Sequence, residues 1–177
     1  MMSSENKTYY MVLSAMFLAL ALILPFLTGQ IPQIGHALCP MHLPVILCGF
    51  FCGPWYAFMI GFIAPLLRFL LFGMPPIIPS GVAMCFELST YGLLSGLLYQ
   101  ALPKKKSSIY IALIGAMIGG RIVWGVARVL LYGVSKSEFG WAAFMSGAFL
   151  DAIPGIIVQI VFIPIIVMAL EKHTCKN

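Results

Sequence analysis

The sequence predicts an all-α integral membrane protein of six transmembrane helices, and three observations carry that prediction. Of the 177 residues, 62% are hydrophobic and only 8% are charged, whereas a soluble domain has about a quarter of its residues charged. With a mean hydropathy of +1.04, the bilayer is the solvent. No Lys, Arg, Asp or Glu occurs between Thr8 and Leu67. That run far exceeds the ~20 apolar residues of one span, so the chain must fold back on itself within it. Gly and Pro clusters then divide the apolar sequence into six segments.

Residues 9–27 form the first segment, uncharged throughout and closed near Pro25 and the Gly29-Gln30 turn. Lys7, the apolar stretch and Ala19-Leu20-Ala21 together look like a secretory signal with a small-residue cleavage site. The apolar run continues to Leu27 without a polar mature start, so the segment is read as a retained span. Segments two and three, 38–52 and 55–72, flank Gly53-Pro54, a stop and restart between antiparallel helices. Segment two is short. Pro40 and Pro44 make its outer end irregular, which a membrane tolerates only against protein or a water-filled cavity. Beyond the proline-rich loop 73–79, a fourth segment covers 80–102 and stops at Pro103-Lys104-Lys105-Lys106. The fifth covers 109–132, and the sixth covers 141–170 with kinks expected at Pro154-Gly155 and Pro164. The chain is thus expected to form a single six-helix membrane domain over residues 1–177, with no internal repeat.

Net charge is +5, and the basic excess gathers at Lys7, at Lys104 to Lys106, and at Lys172 and Lys176. That is the pattern of cytoplasmic loops, not of a nucleic-acid face. Six spans place all three clusters on one side, so both termini are expected in the cytoplasm. Loops 28–37, 73–79 and 133–140 then face outward. Cys39, Cys48, Cys52, Cys85 and Cys175 are odd in number and mostly lie in apolar runs, so no disulfide framework is implied. No phosphate-binding G-x-x-x-x-G-K-[ST] loop is present, so energy for any transport must come from a gradient or a partner.

Five ionisable residues fall inside the expected spans: Arg68, Glu87, Arg121, Arg128 and Asp151. A charge at the bilayer centre costs at least about 2.5 kcal/mol, so each is a candidate for function. Arg68, Glu87 and Arg128 lie about 7 to 11 Å from the outer helix ends at 1.5 Å rise per residue, and are expected to share one outward-facing cavity. Arg121 and Asp151 are expected nearer the middle, either as a buried pair locking two helices or as ligand contacts. Arg121, Trp124 and Arg128 follow i, i+3, i+7 spacing, with Tyr132 extending the stripe. Arginines grip a carboxylate bidentately and an indole packs against an apolar body, so the stripe suits an organic anion. His42 and Gln33 belong to the outer region and complete the candidate substrate-binding set.

His36-x-x-Cys39-x-x-His42 has too few ligands and an unusual spacing for a zinc site. No metal or cofactor is expected, and His42 reads as a polar residue lining the cavity. Ser95-Gly96 and Ser146-Gly147 lack the preceding glycine of a G-x-S-G elbow, no nucleophile and base share a depth, and no acidic D-x-x-D cluster occurs. An enzyme is therefore not expected. Ala15 and Ala19 form a small-x-x-x-small pair on the first helix, which permits close approach of another helix from within the protein or from a partner.

A six-span chain with Ala15-x-x-x-Ala19 and no ATPase motif resembles the substrate-binding S components of energy-coupling factor (ECF) vitamin transporters. Pro40-Met41-His42-Leu43-Pro44, Gly49-Phe50-Phe51-Cys52-Gly53-Pro54, Gly73-Met74-Pro75-Pro76 and Phe86-Glu87-Leu88 look like the pantothenate-type branch. The resemblance implies a subunit of the bacterial cytoplasmic membrane that captures a water-soluble vitamin from outside. Ala15 and Ala19 would dock on a transmembrane coupling subunit driven by two ATPase subunits, and the family is thought to topple in the membrane to deliver its cargo. Glu87, Arg121, Trp124, Arg128 and Asp151 fall where the family's site lies. The competing expectation is a stand-alone proton-coupled carrier in which Glu87 or Asp151 titrates.

Overall fold

In the computed structural model the described residues are 4–27, 40–73, 76–103, 105–135 and 153–174. They form six helices: α1 (Ser4–Leu27), α2 (His42–Cys52), α3 (Pro54–Phe72), α4 (Val82–Ala101), α5 (Lys106–Ser135) and α6 (Ile153–Thr174). Four stretches are long and apolar enough to cross a membrane: Lys7–Phe26, Pro54–Phe72, Val82–Ala101 and Lys106–Leu131. The apolar helices His42–Cys52 and Gly155–Leu170 are shorter. At 1.5 Å per residue the 11-residue α2 rises only about half the thickness of the hydrocarbon.

Local chemistry sets the boundaries. Gly53 ends α2 and precedes α3 with φ 96°, a conformation closed to most side chains, and Pro54 then opens α3 where its missing N–H costs nothing. Before α4 the wide turn Ile77–Gly81 is interrupted by extended Ile78, and the Gly81 N–H donates to the Pro76 carbonyl at 2.9 Å. α5 differs from its expected limits at both ends. It starts at Lys106, where the hydroxyl and N–H of Ser108 engage the carbonyls of Pro103 and Lys105. It also runs through Gly133 to Ser135, because one glycine weakens a final turn without breaking it.

α4 is the central helix, packed against α2, α3 and α5. A Cβ on Gly61 of α3 would lie only 2.5 Å from the Leu88 carbonyl of α4, so the two backbones meet without side chains between them. Along the α4–α5 hairpin, Leu98 abuts Gly115, Leu94 abuts Gly119 and Tyr91 abuts Gly120, which fixes an antiparallel register. One apolar core runs through all six helices, including Phe17, Ile46, Ala57, Leu88, Leu113 and Ile163. Outside it lies a shell of exposed Tyr9, Trp55, Leu70, Ile122, Leu130 and Ile157, the inverse of a soluble surface and the arrangement lipid requires.

Candidate functional site

Glu87 sits on the buried side of α4 with 2% of its surface exposed. Its Oε1 lies 3.1 Å from Nη1 of Arg121 on α5 and 3.4 Å from Nε2 of His42 at the start of α2. Both partners are themselves buried, at 8% and 3% exposure. Three helices thus deliver one carboxylate, one guanidinium and one imidazole to a single point. Tyr91, one turn below Glu87, is fully buried and meets the His42 ring edge to face at 5.0 Å, which limits how that imidazole can turn.

Depth counted from the loops had separated Arg121 from Glu87, and the structure joins them. The hairpin register explains the difference. Gly120 lies against Tyr91, so Arg121 starts about one turn from Glu87, and the long arginine side chain spans roughly that ~5.4 Å pitch. In a low-dielectric interior the Arg121 guanidinium offsets the charge of the carboxylate, while Oε1 of Glu87 and both ring nitrogens of His42 are enclosed without a hydrogen-bond partner.

Farther along α5, Trp124 is buried beside Ala83 and the Arg128 guanidinium stacks over its indole at 5.0 Å. Arg121, Trp124 and Arg128 therefore occupy one stripe, as their spacing predicts. The side chain of Tyr132 lies outside the described residues, as do Gln33 and Asp151, so the Arg121–Asp151 alternative falls there too.

Arg68 is placed elsewhere. Its Nη1 donates to the Leu22 carbonyl of α1 at 3.2 Å, and its guanidinium lies between the Phe26 and Phe72 rings at 5.6 and 5.8 Å. It clasps the ends of α1 and α3 and is not brought to Glu87. Ala15 and Ala19 are exposed on α1 together with Val12, Met16 and Ile23, while Ser14, Phe17 and Ala21 face inward. Among the described residues the alanine pair is therefore left exposed. Ser14 instead meets α2, accepting a hydrogen bond from the Cys48 thiol at 3.8 Å.

Among the described residues no group of three His, Cys, Asp or Glu side chains could hold a metal ion. An apolar groove of about 350 Å³ runs between α4 and α5, lined by Val82, Phe86, Ile122, Val126, Ala127 and Leu130. It follows the exposed stripe of α5, not the Arg121 stripe, and its side chains have no hydrogen bond to give a polar ligand. Gln159 was missed by sequence reasoning: it is 3% exposed on α6. Its signal was present, because it is the one polar side chain in the apolar run 153–170.

The family described as ECF transporter, substrate-specific component, matches residues 9–167. Neither a curated protein nor a solved structure matches the chain. A match over nearly the whole chain accords with the apolar helices, the charged cluster enclosed by three of them and the α1 face left uncovered. The chain belongs to the ECF transporter substrate-specific component family, multi-pass membrane subunits that serve transport in association with coupling and ATPase modules.

Proposed function

We propose that the protein captures a water-soluble vitamin for import across the bacterial cytoplasmic membrane, and that its cargo is pantothenate. The observation that carries this reading is the buried His42–Glu87–Arg121 cluster next to the Arg128–Trp124 stack. Such a site offers charge to an anion, hydrogen bonds to hydroxyl and amide groups, and an aromatic face to an apolar body. In this reading the carboxylate meets Arg128, and the uncharged polar groups meet Glu87 and His42. Asp151 and Gln33 belong to the same site. Arg121 holds Glu87 in place, and Arg68 serves the α1–α3 clasp.

The whole chain acts as one membrane domain whose lysine clusters face the cytoplasm. Ala15 and Ala19, on the exposed face of α1, form the contact with the coupling subunit, through which two ATPases supply the energy. Uptake of radiolabelled pantothenate tests the reading. Cells making this chain with the coupling and ATPase subunits should accumulate the vitamin, and cells making the chain alone should not. Accumulation without those subunits would instead favour a stand-alone carrier.

A further inference from the structure

We propose that Arg68 binds the phosphate of a phospholipid headgroup at the end of the bundle where α1 and α3 terminate, so that a lipid completes the α1–α3 clasp. The proposal is independent of the cargo. Arg68 is only 7% exposed, yet among the described residues no carboxylate pairs with it. Arg121 differs, because Glu87 supplies the opposite charge. The one hydrogen bond of Arg68 among the described residues runs from Nη1 to the Leu22 carbonyl at 3.2 Å. A guanidinium carries five N–H groups in a planar fork, so a single carbonyl leaves most of them without an acceptor. The charge itself is met only by the Phe26 and Phe72 rings.

The unused N–H groups open outward. The enclosed polar atoms without a partner include Nε of Arg121 and Nε of Arg128 but no atom of Arg68, so its Nε and Nη2 hold the surface that remains to it. What they meet there is set by their neighbours. Ile23, Phe26, Leu70, Leu71 and Phe72 are all exposed, an apolar collar that takes acyl chains in preference to water. Phe26 and Phe72 pack edge to face at 4.8 Å and hold the guanidinium beside them. Phe72 is the last residue of α3 and lies about one turn, ~5.4 Å, beyond Arg68. A long cationic side chain at that depth reaches the headgroup level while its stem stays in hydrocarbon.

Phosphate is the oxyanion that a bilayer presents at this level, and the arginine fork matches it with two parallel hydrogen bonds. The site is on the lipid side of the bundle. α1 packs chiefly on α2 and α3, whereas Glu87 and Arg121 belong to the α4–α5 hairpin. By bridging the ends of α1 and α3, the lipid steadies the helix that carries the exposed Ala15 and Ala19.

Native mass spectrometry of the full chain tests the proposal, with the protein stripped of lipid in an uncharged detergent and titrated with phosphatidylglycerol or with diacylglycerol of the same chains. The two probes differ only in the phosphate-bearing headgroup. The wild type should bind its first phosphatidylglycerol about tenfold more tightly than diacylglycerol. Arg68→Gln, which removes the charge, should lose that preference, and Arg68→Lys, which keeps the charge without the fork, should fold and retain only part of it. Lys7, Lys105 and Lys106 are exposed at the opposite end of the bundle, and their joint replacement by glutamine should leave the preference intact. Equal affinity of the wild type for the two lipids overturns the proposal, with no variant required. Loss of the preference in the lysine variant overturns it too, because the phosphate then sits at the other end. An undiminished preference in either Arg68 variant has the same consequence. Displacement of the lipid by millimolar inorganic phosphate would assign the site to the free anion and overturn the lipid as its occupant.

Discussion

A carboxylate that is 2% exposed inside an apolar helix bundle persists only because something compensates it, and for Glu87 the compensation comes from two other helices. Removing it takes from the buried Arg121 guanidinium its ion pair with a carboxylate. Glu87→Ala should therefore lower the unfolding free energy by about 3 kcal/mol, measurable as a fall of several degrees in the melting temperature of the empty protein. Arg128 differs, since it is half-buried and rests on Trp124. Arg128→Ala should leave the melting temperature nearly unchanged and weaken ligand binding more than tenfold in titration calorimetry. Equal affinity would remove Arg128 from the site. At this scale the sequence was informative about which residues matter and less so about their partners. The cost of charge in hydrocarbon singled out Glu87, Arg121 and Arg68 alike. It could not tell a charge that joins a cluster from one that binds a backbone carbonyl between two phenylalanines, because that depends on which helices are neighbours. Gln159 escaped notice because an amide carries no charge to flag it.

Helix boundaries followed punctuation closely where the physics is local. Gly53-Pro54 and Pro103-Lys104-Lys105-Lys106 ended elements where expected, since a positive φ and a missing N–H act on the chain itself. The ends of α5 were misjudged by a few residues. Ser108 begins that helix through hydrogen bonds to the preceding turn, and Gly133 does not stop it. The register of α4 against α5 was not legible in advance, for it is set by glycines opposite Tyr91, Leu94 and Leu98. Packing at this scale is testable at Gly61, where an added side chain meets the α4 backbone beside Leu88. Gly61→Leu should prevent α3 from closing on α4, displacing the Glu87 cluster one residue away. The variant should lose its single symmetrical peak on gel filtration in detergent, whereas Gly73→Ala, where nothing lies within 4 Å and the left-handed φ of 69° adds only about 1 kcal/mol of local strain, should keep it.

Across the whole molecule, the core links all six helices while an apolar shell faces outward. One strip of that shell has small residues, the Ala15 and Ala19 face of α1, where another helix can come close. Lining that strip with leucine at both positions should leave vitamin binding by the purified chain intact and abolish uptake in cells that contain the coupling subunits. Normal uptake would assign the strip to lipid. The central claim, that this chain alone is a high-affinity vitamin receptor, is tested most directly by the thermal stability of the purified protein against a panel of water-soluble vitamins. A ligand that binds only the folded state adds about 2.7 kcal/mol of stability at 100 times its Kd. The account predicts a clear upward shift with pantothenate and none with the others, and the absence of a shift with every vitamin in the panel would contradict it.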